Sequence, residues 1–458
     1  PPLRTDMATT EEQLAQFIID TPAQAISGSL LKGVKRCVIN LLAVCIYSAR
    51  DPSLDILLDV FREEGARPKA TVVGSGFRTS MQNAALANGY LTHLEDYDDT
   101  HFPTVIHPSA PVIPAALAMG EYLGSSGQEV LAASVIGMEV CCRIGMAVHP
   151  AHYDAGWHIT GTCGVFGSVA AAGRLLGLDK GQMVHAMGIA GTQAAGVREV
   201  FGSMAKPLHP GRAAQSGVLA ALLAKGGFTG SETILEGRRG FPAVASTSYD
   251  LTKATTGLGQ DWEIRMNALK PYSCGVVNHC LIDAMVALRI KDGVTPQAIK
   301  NIKARVHPLV LELVDRRHPK VGLESKFSFQ HSMAVGLVDG AAHPAQYTDM
   351  KATDPVIVGL RDRISATVDA GMAEDATQVT ITLNDGRTYT QEVLHATGSP
   401  ENPMTDAQLE VKFRTLAGDA LSKARVNNLL ENIWSLDEAP DIGQVMSRTK
   451  IRGRTVRI

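Results

Sequence analysis

Along the first 268 residues apolar side chains recur every three or four positions, as in EEQLAQFIID (11–20), SLDILLDVF (53–61) and QEVLAASVIGMEVCCRIGMAV (128–148). That is the period of helices that bury one face. Strands are hard to find in this region. The helices are rich in small residues (SVAAAGRLLG, AMGIAGTQAAG, SGVLAALLAKGG), which predicts backbones packed closely around a large core. From Ile299 the period changes to two in KNIKARVHP and RISATVDA, and VTITLNDGRTYTQEV reads as two strands joined at Asn384-Asp385-Gly386, a strong hairpin signal. MTDAQLEVKFRTLAG returns to helical spacing at 404–418 with Thr405 as N-cap,. The expected fold is therefore mainly α, a large all-helical domain built from both chain ends (1–268 and 403–458) with a smaller α+β domain (269–402) inserted between them.

Composition narrows the function. Forty-three Lys and Arg against 46 Asp and Glu leave a formal charge of -3, so no field of one sign favours nucleic acid or an anionic membrane. The longest charge-free stretch, Thr100 to Gly120, holds Pro103, Pro108, Pro111 and Pro114, and Cys37 to Ala49 is shorter than a bilayer requires,. Seven cysteines in mostly apolar segments, with no basic segment leading into an apolar run, suggest a reducing cytoplasm,. Met7 is the expected natural start, with PPLRTD a cloning remnant.

Common catalytic signatures are missing: no G-x-S-x-G, P-loop, H-E-x-x-H or C-x-x-C occurs, and Gly161, Gly164 and Gly167 follow no strand,. The polar stretch HLEDYDDTHFPTVIHPS (93–109) stands out instead. Its His93, Asp96 and Thr100 are spaced to share one helical face, and four acids at a helix C-terminus oppose the dipole unless something offsets them,. His107 follows, just ahead of the proline-primed helix PSAPVIPAALAMGEYL. In GWHITGTCGVFGSVAAAG, His158 precedes a Thr/Gly-rich turn containing Thr162, whose backbone N–H groups could hold a carboxylate,. REVFGSMAKPLHPGRAA offers Lys206 and His209 ahead of a small-residue helix, Lys206 being either a surface residue or a buried cation. LKPYSCGVVNHC brings Lys270, Cys274 and His279 to the domain border, where clefts form,. This inventory suits proton transfer next to a carboxylate of a small polyanion. A metal site on the same His and Asp residues is the sharpest rival, and the expectation is that no metal is bound.

The motifs HLEDYDDTHFPTVIHPSAPVIPAALA, GWHITGTCGVFGSVAAAGRLLGLD, AKPLHPGRAAQSGVLAALLAKGGFTG, LKPYSCGVVNHCLIDA, SKFSFQHSMAVGLVDG and NPMTDAQLEVKF, in this order over nearly the whole chain, resemble the MmgE/PrpD family. That family includes 2-methylcitrate dehydratase, cis-aconitate decarboxylase and iminodisuccinate epimerase. The resemblance implies an inserted α+β lid, homodimers, and cofactor-independent chemistry on small di- or tricarboxylates. It places active-site residues at Asp96, Thr100, His107, His158, Lys206, Lys270 and His279. The chain departs from better-known members at Ser273-Cys274-Gly275 and at His331, where a tyrosine is usual. These departures tilt the expectation narrowly towards an epimerase of iminodisuccinate type, with a lyase of the same family as the alternative. The acid/base work is assigned to His107 and His158, supported by Lys270 and His279, with Asp96, Thr100, Thr162 and Lys206 binding substrate. A non-catalytic helical scaffold dimer is the reading from another class, and it expects Lys206, His107 and His158 to point to separate places.

Overall fold

The computed structural model describes residues 8–454; the expected remnant before Met7 lies outside them. Helices dominate to residue 255, and their boundaries follow local chemistry. Capping boxes open the Thr10–Asp20, Gly127–Val148, Lys180–Gly191 and Asp406–Gly418 helices, the last through Thr405 and Gln408 as the sequence predicts,. The Asp406–Gly418 helix packs on Gly28–Ser48, so the C-terminal segment rejoins the body formed by the N-terminal helices. One apolar core collects residues from Leu14 to Leu269 and again from Met404 to Ile451.

A second core spans Cys274 to Ala396. It is built on a four-stranded sheet in the order Ile364–Val368, Ile299–Val306, Thr377–Leu383, Thr388–Val393, with the first pair parallel and the others antiparallel. Alternate residues of Thr377–Leu383 are buried, and the His279–Asp292 helix packs on this sheet. The predicted hairpin forms, with Gly386 at φ 88 supplying the left-handed turn position,.

Two features depart from the pattern of the sequence. The helical region also holds short strands, of which Asp99–His101 pairs antiparallel with Asn267–Leu269. Three-residue strands are too short to leave a period in the sequence. The Gly127–Val148 helix is long and apolar enough to cross a membrane, yet 94% of its most apolar window is buried inside the protein. Its Glu139 and Arg143 form a buried ion pair at 2.5 Å, and Arg143 also donates to the carbonyl of Thr256 at 2.7 Å.

The small residues act where the Met81–Leu94 and Ala205–Lys225 helices cross. A Cβ on Gly211 would lie 2.5 Å from the Leu86 carbonyl oxygen, and one on Gly89 would lie 2.8 Å from the Gly211 Cα. The helices therefore meet backbone to backbone, which sets the loop after Leu94 beside Lys206. Gly211→Ala is expected to cost about 1–3 kcal/mol in urea unfolding, the usual range for overpacking. It should also lower turnover in the folded fraction, because the two helices carry opposite sides of the site; unchanged stability and activity would show that this crossing is slack.

Candidate active site

The Met81–Leu94 helix stops at Leu94, and the chain turns sharply because Asp96 adopts φ 49, a left-handed conformation that aspartate tolerates,. The helical face expected to join His93, Asp96 and Thr100 is therefore not formed: Asp96 sits in a turn and Thr100 on the Asp99–His101 strand. The turn also removes the dipole conflict, since the acids leave the helix axis. Strand pairing continues into a bond from the Lys270 N–H to the Asp98 carbonyl at 3.2 Å, which carries Lys270 to the Asp96 turn.

Asp96 Oδ1 accepts from Lys206 Nζ at 3.0 Å and from Lys270 Nζ at 2.8 Å, and all three side chains are buried. Lys206 is thus a buried cation and not a surface residue. It lies inside the first turn of the Ala205–Lys225 helix, which begins earlier than the prolines suggest, and faces the rings of Phe201 and Phe327 at 5.2 and 5.4 Å. Burial alone would raise the Asp96 carboxyl, but Lys206 and Lys270 bring it well below its usual value. Burial lowers Lys206, with Asp96 opposing and Lys270 reinforcing, whereas for Lys270 the pull of Asp96 and Asp98 outweighs burial and raises it.

Four imidazoles are grouped behind and beside these charges. His107 Nδ1 meets the Asp99 carbonyl at 2.6 Å and therefore carries the proton there, leaving Nε2 outside that bond,. Its backbone N–H donates to Thr160 Oγ1 at 3.1 Å. His93 Nδ1 meets Asp98 Oδ2 at 2.7 Å, and its ring lies 4.6 Å from that of His107 and 5.6 Å from that of His158. His158 pairs Nδ1 to Nδ1 with His209 at 2.9 Å. His158 is held well below its usual value, by burial first and then by His93 and Lys206, so it is neutral near pH 7.

Asp96, Thr100, His107, His158, Lys206 and Lys270 line one cavity of about 790 Å³. Convergence of Lys206, His107 and His158 there is the arrangement the scaffold reading does not expect. Val105 lines it as well, with φ 54, a strained conformation for a β-branched residue,. Two expected residues lie elsewhere. Thr162 is fully buried in its helix, bonded to His152 Nε2 at 2.8 Å, because the Thr/Gly turn is packed and not exposed. His279 is buried off the cavity at the start of the His279–Asp292 helix, edge-on to Tyr272, and burial, then Lys270, lowers it to about 3.

Asp98, Arg198 and Arg316 were not anticipated. Arg198 and Arg316 line the cavity from opposite cores. Asp98 lies five residues from His93, a separation that no helical face brings together, so only the turn at Asp96 reveals their contact. His93, Asp96, Asp98 and His107 present ligand atoms within 4.8 Å of one another. Asp96 Oδ1 is taken by two ammonium groups and Asp98 Oδ2 by His93 Nδ1, whereas Asp98 Oδ1 and His93 Nε2 have no hydrogen-bond partner among the described residues. A metal ion here would lie beside the ammonium groups of Lys206 and Lys270 and compete with them for Asp96, so the donor set fits one poorly.

Burial first, then Lys206, lowers His93 to about 3, against about 6.5 for an unfolded histidine,. Its neutral form is the folded one, so its contribution is complete above about pH 6.5 and is lost as pH falls towards 3. Between pH 6.5 and 4.5 the urea-unfolding free energy of the wild type should fall faster than that of His93→Gln, by about 1.4 kcal/mol per pH unit. Equal slopes would show that His93 is charged in the folded protein.

Residues 12–254 match the MmgE/PrpD N-terminal domain and residues 272–436 the MmgE/PrpD C-terminal domain. The chain is 28% identical over 455 residues to cis-aconitate decarboxylase of Aspergillus terreus, covering 92% of each chain. It is 29% identical over 448 residues to cis-aconitate decarboxylase of Homo sapiens, covering 94% of this chain and 92% of that one. With 2-methylcitrate dehydratase of Cupriavidus necator it shares 23% identity over 436 residues, 84% of each chain. With both domain patterns matched in order across its length, residues 12–254 and 272–436, the chain belongs to the MmgE/PrpD family.

Proposed function

We propose that this protein is a cofactor-independent lyase that acts next to a carboxylate of a small tricarboxylate, with decarboxylation of a cis-aconitate-like substrate as its reaction. The observation that carries this reading is the pair of buried ammonium groups sharing Asp96 at the wall of a cavity that His107 and His158 also line. Epimerisation, the narrow preference from the sequence, gives way to its lyase alternative, because the relatives compared above are decarboxylases and a dehydratase.

The chemistry follows from the charges. Lys206 and Lys270 hold substrate carboxylates, and a cationic, water-poor environment stabilises the electron pair left on carbon when the C–C bond to the departing carbon dioxide breaks. That pair delocalises towards a neighbouring carboxylate, and the carbon then takes up one proton. Lys206 is suited to deliver it, since burial makes its proton easier to give. His158, neutral at the outset, accepts or relays a proton, while His107 presents Nε2 with its other nitrogen anchored. Segment 269–402 acts as the lid, and a homodimer in the cytoplasm without bound metal completes the proposal.

Proton NMR in deuterated water with cis-aconitate, 2-methylcitrate, citrate and iminodisuccinate tests the reaction. Carbon dioxide loss from cis-aconitate is expected; water loss from 2-methylcitrate would shift the assignment to dehydration, and exchange alone would restore epimerisation. His107→Ala or His158→Ala should lower kcat by roughly 10²- to 10⁴-fold with substrate still bound; loss of stability with near-normal kcat in the folded fraction would reduce both to packing. Lys206→Met should lower kcat/KM by about 2–5 kcal/mol, because a substrate carboxylate loses one of its two buried cations while Asp96 keeps Lys270,. Turnover should survive chelation, and hydrogen exchange within 269–402 should slow when a substrate analogue binds; an unchanged pattern would remove the lid.

A further inference from the structure

Four lysines are almost fully buried among the described residues: Lys206, Lys270, Lys326 and Lys412. The first three are paired with acids, Lys206 and Lys270 with Asp96 and Lys326 with Glu95 at 3.0 Å. Lys412 has no carboxylate within ion-pair distance among the described residues. Its Nζ donates to the carbonyl oxygens of Tyr97 at 2.8 Å and Lys270 at 2.7 Å, and it lies 3.3 Å from the centre of the Tyr97 ring. Carbonyl oxygens and a ring face orient an ammonium group but do not neutralise it, and an uncompensated buried charge is costly. Burial pulls Lys412 well below its usual value, opposed at longer range by Asp98 and Asp99 and reinforced by Lys270.

Lys412 borders a second cavity, of about 430 Å³. Its walls come from both segments that cross between the two cores, Pro271 and Tyr272 outward, Thr397 and Met404 on the return. The exposed face of the Asp406–Gly418 helix closes it at Ala407 and Val411. Tyr97 and His343, joined by a 2.9 Å bond between the phenol and Nδ1, add polar groups, as do Gln408 and Thr415. No lining residue is shared with the first cavity. Asp96 and Tyr97 are adjacent in sequence yet face different cavities, and so do Lys270 and Pro271. The two cavities therefore lie on opposite sides of the same two segments.

A mostly apolar chamber of ligand size, bordered by a buried lysine that no carboxylate pairs directly, has the character of a binding site for an amphipathic anion,. We propose that this second cavity binds a small carboxylate with a single charge and an apolar body of about one aromatic ring, its carboxylate meeting the ammonium group of Lys412. Because Lys412 also holds the carbonyls of Tyr97 and Lys270, the ligand sits one bond away from the backbone that places Asp96 and Lys270. Occupancy is thereby linked to the geometry of the first cavity.

Isothermal titration of the full chain with phenylacetate tests the site. The wild type should bind one molecule, and phenylacetamide, of the same shape without the charge, should bind about tenfold or more weakly. Lys412→Met should lose binding to a similar extent. Ala407→Trp, on the exposed helix face, should lose it by filling the chamber with Lys412 intact, so the proposal does not depend on the folding of one variant. Citrate should fail to displace the probe. The proposal is overturned if the wild type does not bind phenylacetate, if both variants bind like the wild type, or if citrate competes and so assigns the probe to the first cavity. It is also overturned if phenylacetate does not bind and Ala407→Trp changes the oligomeric state, which would assign this face to a second copy of the chain.

Discussion

One carboxylate oxygen, Asp96 Oδ1, receives two buried ammonium groups, and the arrangement of the protein around the site depends on that contact. Lys206 arrives on the Ala205–Lys225 helix, Lys270 at the end of the Asn267–Leu269 strand, and Asp96 from the turn after Met81–Leu94. Any one of the three left alone would be an unpaired charge in a dry environment, where breaking such a pair costs about 3–5 kcal/mol. The three segments are therefore bound into one unit. The left-handed backbone at Asp96 is the local consequence, since the turn is what aims its carboxylate back between the two lysines.

The fold supplies this unit with a rigid back wall and a divided front. Behind it, helices rich in glycine and alanine pack closely enough that Gly89 and Gly211 leave no room for a Cβ. In front, the cavity lies where the two apolar cores face each other, lined by His107 and His158 from one and by Val314 and Arg316 from the other. Lys326 of the second core reaches across to the Glu95 carbonyl at 2.6 Å and its carboxylate at 3.0 Å, so the turn that holds Asp96 is tied to both cores. A displacement of one core against the other is felt at the site.

The imidazoles divide according to their surroundings. His93 spends its Nδ1 on Asp98 and is lowered to about 3 by burial and Lys206, which makes it a neutral support. His158 is neutral for the same reason, yet it borders the cavity and is backed by His209. His107 differs in having one nitrogen anchored to a backbone carbonyl. Burial and the neighbouring Lys206 thus keep His93 and His158 neutral beside the two ammonium groups that share Asp96,.

The sequence by itself determined the mainly helical class, the hairpin at Asn384 to Gly386 and the Thr405 cap, and it singled out Asp96, Thr100, His107, His158, Lys206 and Lys270, which line one cavity. These are legible because helical periodicity, turn chemistry and polar residues in an apolar context are local signals. What only the tertiary structure decided is which of those residues meet. His93 and Asp98 touch across a turn that the helical spacing conceals, and Thr162 turns inward to His152. His279 is buried and not among the residues lining the cavity, and Lys412 reaches the Tyr97 and Lys270 carbonyls from a helix far along the chain. The reason is geometric: a periodic pattern records which face of an element is buried, but the partner on that face is set by how elements cross, and here those crossings depend on backbone contacts that glycine permits without naming its neighbour,.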